Sequence, residues 1–409
     1  MDGRRRKPAP LSVVATYVVG AWRRREPSPN LCPVTYDSLG HIAAHDVTQQ
    51  GAVHLAALAR APRAAGSAAE AEAREYCARV LRDAGFDVAL ERFDYSQMPG
   101  RYGTPIGGAI AWVTIAVTSW LGSTGRPAFF SALVCLAGLA ILGMWSWLLL
   151  GDGVLTLPWR RAAAVNLVAT RGGSAPRVWL VAHLDSKSQP IPSLLRVAGL
   201  AMLATALAMT LAAVLLTLGG VSLRTLWWLG AALATVGAAP VLASTVGNAS
   251  DGALDNASGV ATVLEAVRSS RPDSPIGVLL SSAEELGLAG ARAWVRDRRG
   301  EQGIAINCDG VDDGGELTIM YSGMPSIEII DVIRASADEQ ARVRRMPLGL
   351  LLDSVALTEG GWRSVTVSRG SVASLRRVHT QGDSLERLRG DGISRTARAL
   401  ARAAEALAP

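Results

Sequence analysis

Four long stretches without a single charged residue constrain this 409-residue sequence more than any other feature: Tyr102–Gly125, Pro127–Gly151, Val197–Leu223 and Thr225–Ser250. They contain IGGAIAWVTIAVTSWL, FFSALVCLAGLAILGMWSWLLL, VAGLAMLATALAMTLAAVLLTL and LWWLGAALATVGAAPVLAST. About 20 apolar residues cross a hydrocarbon core of roughly 30 Å as a helix, so each stretch is long enough to span a bilayer. Burying four such helices, rich in Trp near their ends, inside a soluble protein would demand a very large core. They form two hairpins turning near Arg126 and Arg224, which leaves everything outside the hairpins on one side of the membrane. Flanks on that side carry Arg101, Arg160, Arg161, Lys187 and Arg196, against Arg126 and Arg224 in the far turns. The positive-inside rule then predicts an integral multi-pass protein of a bacterial cell membrane whose bulk leans cytoplasmic.

Composition excludes other classes. With 49% hydrophobic and 19% charged residues the chain buries enough surface to offset ordering entropy, which rules out intrinsic disorder. The net charge of +6 comes almost wholly from arginine, with lysine only at Lys7 and Lys187, and the arginines are spread among acids. That is a solvated surface under codon bias, and no nucleic-acid partner is expected. Cys32, Cys77, Cys135 and Cys308 lack CxxC spacing, so neither a disulfide framework nor a cysteine zinc knuckle is readable. Leu11–Trp22 follows RRRK and has the character of a signal-peptide apolar region. It is too short to span, runs straight into Arg23–Arg25 and lacks a small-residue cleavage site, which predicts an interfacial or docking segment; as a signal sequence it would instead put the bulk outside.

The remainder alternates helix and strand. Ala43–Gly85 reads as two helices around APRAAGS, and Phe86–Phe93 as a strand. Further strands are predicted at Ala164–Ala169, Val178–His183, Ile276–Ser281, Ile304–Cys308, Leu317–Tyr321 and Val365–Val367, with helices at Val260–Ser269, Leu288–Arg298, Ser326–Arg342 and Gly392–Leu407. Short apolar strands between helices imply an α/β fold with a mixed, largely parallel sheet covered on both faces, whose ligands gather at strand C-terminal ends.

Metal-ligating residue types sit at those ends. WLVAHLDS closes with His183 and Asp185, LLSSAEELG with Glu284 and Glu285, and IAINCDG with Cys308 and Asp309; GALDNASG puts Asp255 before a helix, and RRVHTQGDS carries His379. Singly these residues read as an N-cap, a solvated helix start, a turn cap or a loop histidine. Together, two imidazoles and three or four carboxylates at one sheet edge would leave uncompensated buried charge without a cation. Nitrogen and oxygen donors without thiolate suit zinc, with manganese or cobalt as substitutes.

HLDS, DNASG, AEELG, NCDG and HTQGD, in that order, resemble the co-catalytic di-zinc aminopeptidases of the aminopeptidase Y and bacterial leucyl aminopeptidase type, among the clan MH zinc peptidases. With APRAAGS and AGFDV upstream, the resemblance runs from about residue 45 to 409 and excludes the two hairpins. It implies two zinc ions: His183 and Asp309 on one, Glu285 and His379 on the other, Asp255 bridging both. It further implies Glu284 as the general base and Asp185 orienting His183 through the far ring nitrogen. The Asp255–Asn256 peptide bond is expected to be cis on the same ground. The activity implied is removal of N-terminal residues from peptides with a free amino group, by a water shared between the two cations.

Two departures from the family are visible. His183 and Asp255 lie 72 positions apart because the second hairpin is inserted between them, and the Ser-Asp-His segment of many relatives has no histidine near Asp353 and Ser354. The expected organisation is a basic segment 1–44, a peptidase domain in the pieces 45–100, 153–196 and 251–409, and inserted hairpins 101–152 and 197–250. The second hairpin begins twelve residues after Asp185 and ends five before Asp255, so the site is expected to face or lie close to the bilayer and to prefer peptides delivered near the lipid surface, such as signal-peptide remnants. Other readings are an inactive peptidase-fold receptor or scaffold, a single-zinc amidohydrolase or glutaminyl-cyclase-like enzyme, and a transporter. No charged residue lies within the spans, which disfavours the last.

Overall fold

A computed structural model describes residues 47–151, 153–171, 175–347 and 349–408; the segment 1–44, with Leu11–Trp22, lies outside them. In chain order, helices α1 (Val47–Leu58) and α2 (Ala68–Asp83) precede strand β1 (Asp87–Ser96). The long helices α3 (Met98–Ser123) and α4 (Ala128–Leu150) and the single turn α5 (Gly153–Thr156) lead to β2 (Arg161–Thr170) and β3 (Val178–His183). A second long pair, α6 (Ser193–Leu218) and α7 (Arg224–Leu242), is followed by α8 (Ser258–Ser269), β4 (Ile276–Ser281), α9 (Ala289–Asp297), β5 (Ile304–Val311) and β6 (Thr318–Tyr321). The chain ends with α10 (Ile327–Ser336), β7 (Arg342–Arg345), α11 (Asp353–Glu359), β8 (Arg363–Arg369), α12 (Val372–Arg377) and α13 (Asp391–Leu407).

The strands form one sheet in the order β1-β2-β4-β3-β5-β8-β6-β7. Its centre, β4-β3-β5-β8, is parallel; β1 and β2 extend it antiparallel on one side, and β6 runs antiparallel to β8 on the other. All six residues of β3 (VWLVAH) and of β4 (IGVLLS) are buried, which is why these strands read as continuous apolar runs without alternation. One face packs on α1, α2, α8 and α13 through residues such as Leu55, Leu81, Val263 and Leu400. The other carries a cluster of three tryptophans, Trp179, Trp294 and Trp362. Ser67 starts α2 by accepting the N–H of Glu70 at 3.2 Å, and the Glu70 carboxylate accepts the Gly66 N–H at 2.7 Å.

One predicted element is corrected. The helix expected over Ser326–Arg342 stops at Ser336, and β7 pairs in parallel with β6 at the sheet edge. Every side chain of β7 (RVRR) is exposed, so only its main chain records that it is a strand, and its charges blunt the open edge.

Among the described residues, four helices are long and apolar enough to cross a membrane: Met98–Ser123, Ala128–Leu149, Ser193–Leu218 and Arg224–Leu242, with mean hydropathies of 1.4, 2.1, 2.2 and 1.5. The two pairs pack into one bundle. Ile115 of α3 meets Leu203 and Ala206 of α6 and Ala234, Ala238 and Val241 of α7, while Cys135 of α4 joins Ala213, Val214 and Trp227. The outward side is apolar as well: Phe129, Leu136, Met144, Trp147 and Leu215 are each more than half exposed. A helix apolar on every side fits lipid rather than water.

Candidate metal centre

The parallel centre of the sheet brings the ends of β3, β4 and β5 to one edge, and each delivers an acid or an imidazole there. His183 is the last residue of β3. After β4, Ala283 takes left-handed backbone angles (φ 58°) and turns the chain sharply, so that Glu284 and Glu285 both point into the site and are buried. In β5 the register with β8 shifts between Cys308 and Val311, freeing Asp309 from the ladder. His379, just past α12, also has a positive φ (64°). Non-glycine residues rarely hold such angles unless the surroundings enforce them, and they concentrate at functional sites.

Asp255 lies in the turn leading into α8, and its peptide bond to Asn256 is cis. Asn256 fastens this turn to β5: its Nδ2 donates to the Cys308 carbonyl at 2.9 Å, and its Oδ1 accepts the N–H groups of Gly259 (3.0 Å) and Gly310 (3.2 Å). The contact is so close that a Cβ on Gly259 would lie 2.1 Å from Asn256 Oδ1 and 2.3 Å from the Cys308 oxygen.

These elements bring together every side chain singled out in the sequence. The Asp255 carboxylate divides its oxygens between two imidazoles: Oδ1 is 3.1 Å from His183 Nε2, and Oδ2 is 2.9 Å from His379 Nε2. Asp309 Oδ2 and Glu284 Oε2 lie 3.6 and 4.0 Å from His183 Nε2, and Glu285 Oε1 is 3.3 Å from His379 Nε2. Two triplets result, His183 with Glu284 and Asp309, and Asp255 with Glu285 and His379; within each, one donor atom per residue lies within 4.8 Å of the others.

Asp185 is placed differently from the sequence expectation. The Nδ1 of His183 meets the Asp185 main-chain carbonyl at 3.0 Å, whereas the carboxylate is 3.7 Å away. That carboxylate instead accepts the N–H groups of Glu284 (3.1 Å) and Glu285 (3.2 Å), clamping the turn that carries both glutamates.

The electrostatics call for cations. Burial pushes the carboxyls of Glu284 and Asp309 above their ordinary range, Glu284 by far the more, with neighbouring acids adding to the effect. Burial works against a charged His183, yet Glu284, Asp185, Asp255 and Asp309 hold its pKa well above the usual imidazole value. Among the described residues, neither Asp309 Oδ2 nor Glu285 Oε1 takes part in a hydrogen bond of good geometry, although both are buried. Nitrogen and oxygen donors at this spacing fit divalent ions of the zinc type.

Three further residues of the site escaped sequence reading. Lys187, counted there as a membrane flank, is half-buried and pairs its ammonium with Glu285, so it does not belong to the interfacial charge tally. Asp383 accepts the main-chain N–H groups of Leu254 (2.6 Å) and Asp255 (3.1 Å), and its place in HTQGD was the available signal. Asp353, wholly buried, accepts from the Ser281 hydroxyl and is pushed up to about 7 by burial.

The profile of peptidase family M28 matches residues 166–404, more than half of the chain. No curated protein matches at a significant level. Among solved structures, an aminopeptidase from Aneurinibacillus sp. strain AM-1 superposes with a TM-score of 0.53 at 14% identity, covering 88% of this chain and 94% of its own. A zinc aminopeptidase from Bacillus subtilis gives 0.51 at 15%, covering 87% and 93%. A glutaminyl cyclase from Bacteroides thetaiotaomicron gives 0.50 at 12%, covering 87% and 96%, so this fold by itself does not separate the two chemistries.

Proposed function

Because the chain belongs to peptidase family M28, we propose that it is a membrane-anchored zinc aminopeptidase holding two ions, with peptides bearing a free N-terminus as substrates. The observation that carries this reading is the Asp255 carboxylate with one oxygen toward each of two histidines, each of which has its own further acid. His183 and Asp309 would hold one ion, Glu285 and His379 the other, with Asp255 shared. Zinc bound there, or manganese or cobalt in its place, supplies Lewis acidity toward the scissile carbonyl and makes water nucleophilic at neutral pH.

The protein supplies the rest. Glu284 is buried beside His183, and its N–H is fixed by Asp185, so its carboxylate has a defined position. It takes the proton from the attacking water as the O–C bond forms, then delivers it to the departing amine as the C–N bond breaks. Burial raises the proton affinity of Glu284, which suits a group that must both accept and return a proton near neutrality. A one-zinc cyclase leaves the second triplet without purpose, and an inactive scaffold leaves both. The test is zinc content together with aminoacyl-amide hydrolysis by wild type and Glu284→Ala: two zincs per chain in both, with turnover lost about 100-fold or more in the variant, are expected. Undiminished turnover would remove Glu284 from the mechanism.

The four apolar helices are read as bilayer spans, making hairpins 101–152 and 197–250 insertions in a peptidase domain built from 45–100, 153–196 and 251–409. Reporter fusions at Arg126 and at the C-terminal Pro409 should then report opposite sides of the membrane, and the same side for both would overturn the topology. The remaining flank arginines keep the peptidase domain on the cytoplasmic side.

A further inference from the structure

The two halves of the site are supported by different parts of the molecule. His183 and Asp309 stand on the sheet, at the end of β3 and within β5. Glu285 and His379 lean instead on the bases of the two long-helix pairs. The segment between β3 and α6 wraps the His379 side: Lys187 pairs with Glu285, the Gln189 N–H donates to the His379 carbonyl at 2.8 Å, and the Ser193 hydroxyl lies 3.4 Å from His379 Nδ1. The exit of the same pair holds that segment down, since Ser188 and Gly247 exchange main-chain hydrogen bonds of 3.0 and 2.8 Å, and Arg196 of α6 donates to Gln189 Oε1 at 2.8 Å. The base of α3 meets the glutamate turn directly: a Cβ on Gly100 would fall 2.2 Å from the Cα of Leu286, next to Glu285.

We infer that Ser193, the first residue of the membrane helix α6, is a positioning residue for His379, and that the membrane bundle thereby builds the second ion's half of the site while the sheet builds the first. With Nε2 of His379 turned toward Asp255 and Glu285, Nδ1 carries the hydrogen and donates to Ser193 Oγ, fixing tautomer and ring plane. Ser193 has no capping duty, because α6 opens at Pro192 with no side-chain cap. This inference rests on the two-ion reading above and says which ion depends on the helices.

The experiment is zinc titration of the full chain in lipid nanodiscs against a competing chelator, for wild type, Ser193→Ala and Ser193→Thr. Loss of a partner to a ligating histidine typically weakens metal binding about 10- to 100-fold. The expected result is a second ion weakened by about that factor in Ser193→Ala, a first ion changed by less than about twofold, and recovery in Ser193→Thr. The unchanged first ion is an internal control for folding. Equal weakening of both ions, or no change in either, overturns the inference while leaving the two-ion reading intact. Uptake of a single ion by wild type overturns the two-ion reading and this inference with it.

Discussion

One acid holds another in place: Asp383 Oδ2 accepts the main-chain N–H of Asp255 at 3.1 Å, and its other oxygen accepts that of Leu254 at 2.6 Å. The position of Asp255 between His183 and His379 is therefore fixed from its backbone, independently of anything bound to its carboxylate. Asp383→Ala leaves two N–H groups in a buried turn without acceptors, at roughly 1–3 kcal/mol each, so a loss of about 2–6 kcal/mol in unfolding free energy is expected by urea titration. Asp383→Asn keeps one acceptor and should lose about half as much. Equal stability of the alanine variant and wild type would show that water satisfies these groups.

Gly259 is the second point where the site tolerates no enlargement. A methyl group there collides with Asn256 Oδ1 and the Cys308 carbonyl, both of which are fixed by their own hydrogen bonds. Gly259→Ala should cost about 3 kcal/mol, the upper range for overpacking, and should reduce bound zinc because Asp255 and Asp309 lie on the two segments forced apart. Metal analysis and thermal unfolding of the purified variant decide this, and a wild-type melting temperature would contradict the packing described.

Removing the ions should destabilise the protein, since the buried acids around His183 and His379 would lose their counter-charges. At free zinc 100-fold above the dissociation constant, each ion stabilises the folded state by about 2.7 kcal/mol, so chelation should lower the unfolding midpoint and zinc should restore it. A midpoint indifferent to chelator would remove the ions from the structural account.

A pH effect outside the candidate metal centre is set by His54. It is buried in α1, with Nδ1 2.7 Å from the Tyr76 hydroxyl, and burial, aided by Arg268, lowers its pKa to about 4. Between that value and the ordinary imidazole value near 6.5 the unfolded chain binds a proton that the folded chain does not, so this residue makes stability rise with pH across that window and has no effect above it. The span of about 2.5 units corresponds to about 3 kcal/mol. His54→Gln should lack this rise: the stability difference between wild type and variant, followed by unfolding from pH 4 to 7, should change by about that amount. A difference independent of pH would show that His54 titrates normally.

Sequence carried the centre of the fold and the motif residues because both are local signals. β3 and β4 are short unbroken apolar runs, and their bounds were read to the residue. The site motifs are acids and imidazoles at the ends of such runs, and the structure gathers all seven side chains at one edge. What stayed hidden depends on contacts between distant segments. The edge strand β7 has no buried side chain to announce it, and α11 and α12, of seven and six residues, are too short to show a helical period. Lys187 looks like any membrane-flanking cation until the chain between β3 and α6 folds back onto Glu285. Asp185 sits where an orienting carboxylate is expected, yet its hydrogen bonds go to main-chain groups a hundred residues away, which no spacing rule encodes.

The order of the elements along the chain sets a sequence of events during synthesis. β3 emerges before α6 and α7, but its sheet neighbours β4 and β5 and the histidine after α12 all come later. With the long helices in the bilayer, the ribosome has already committed both hairpins to the membrane before the last donor atom exists. On the proposed topology, the site is completed only on a chain that has already reached the lipid.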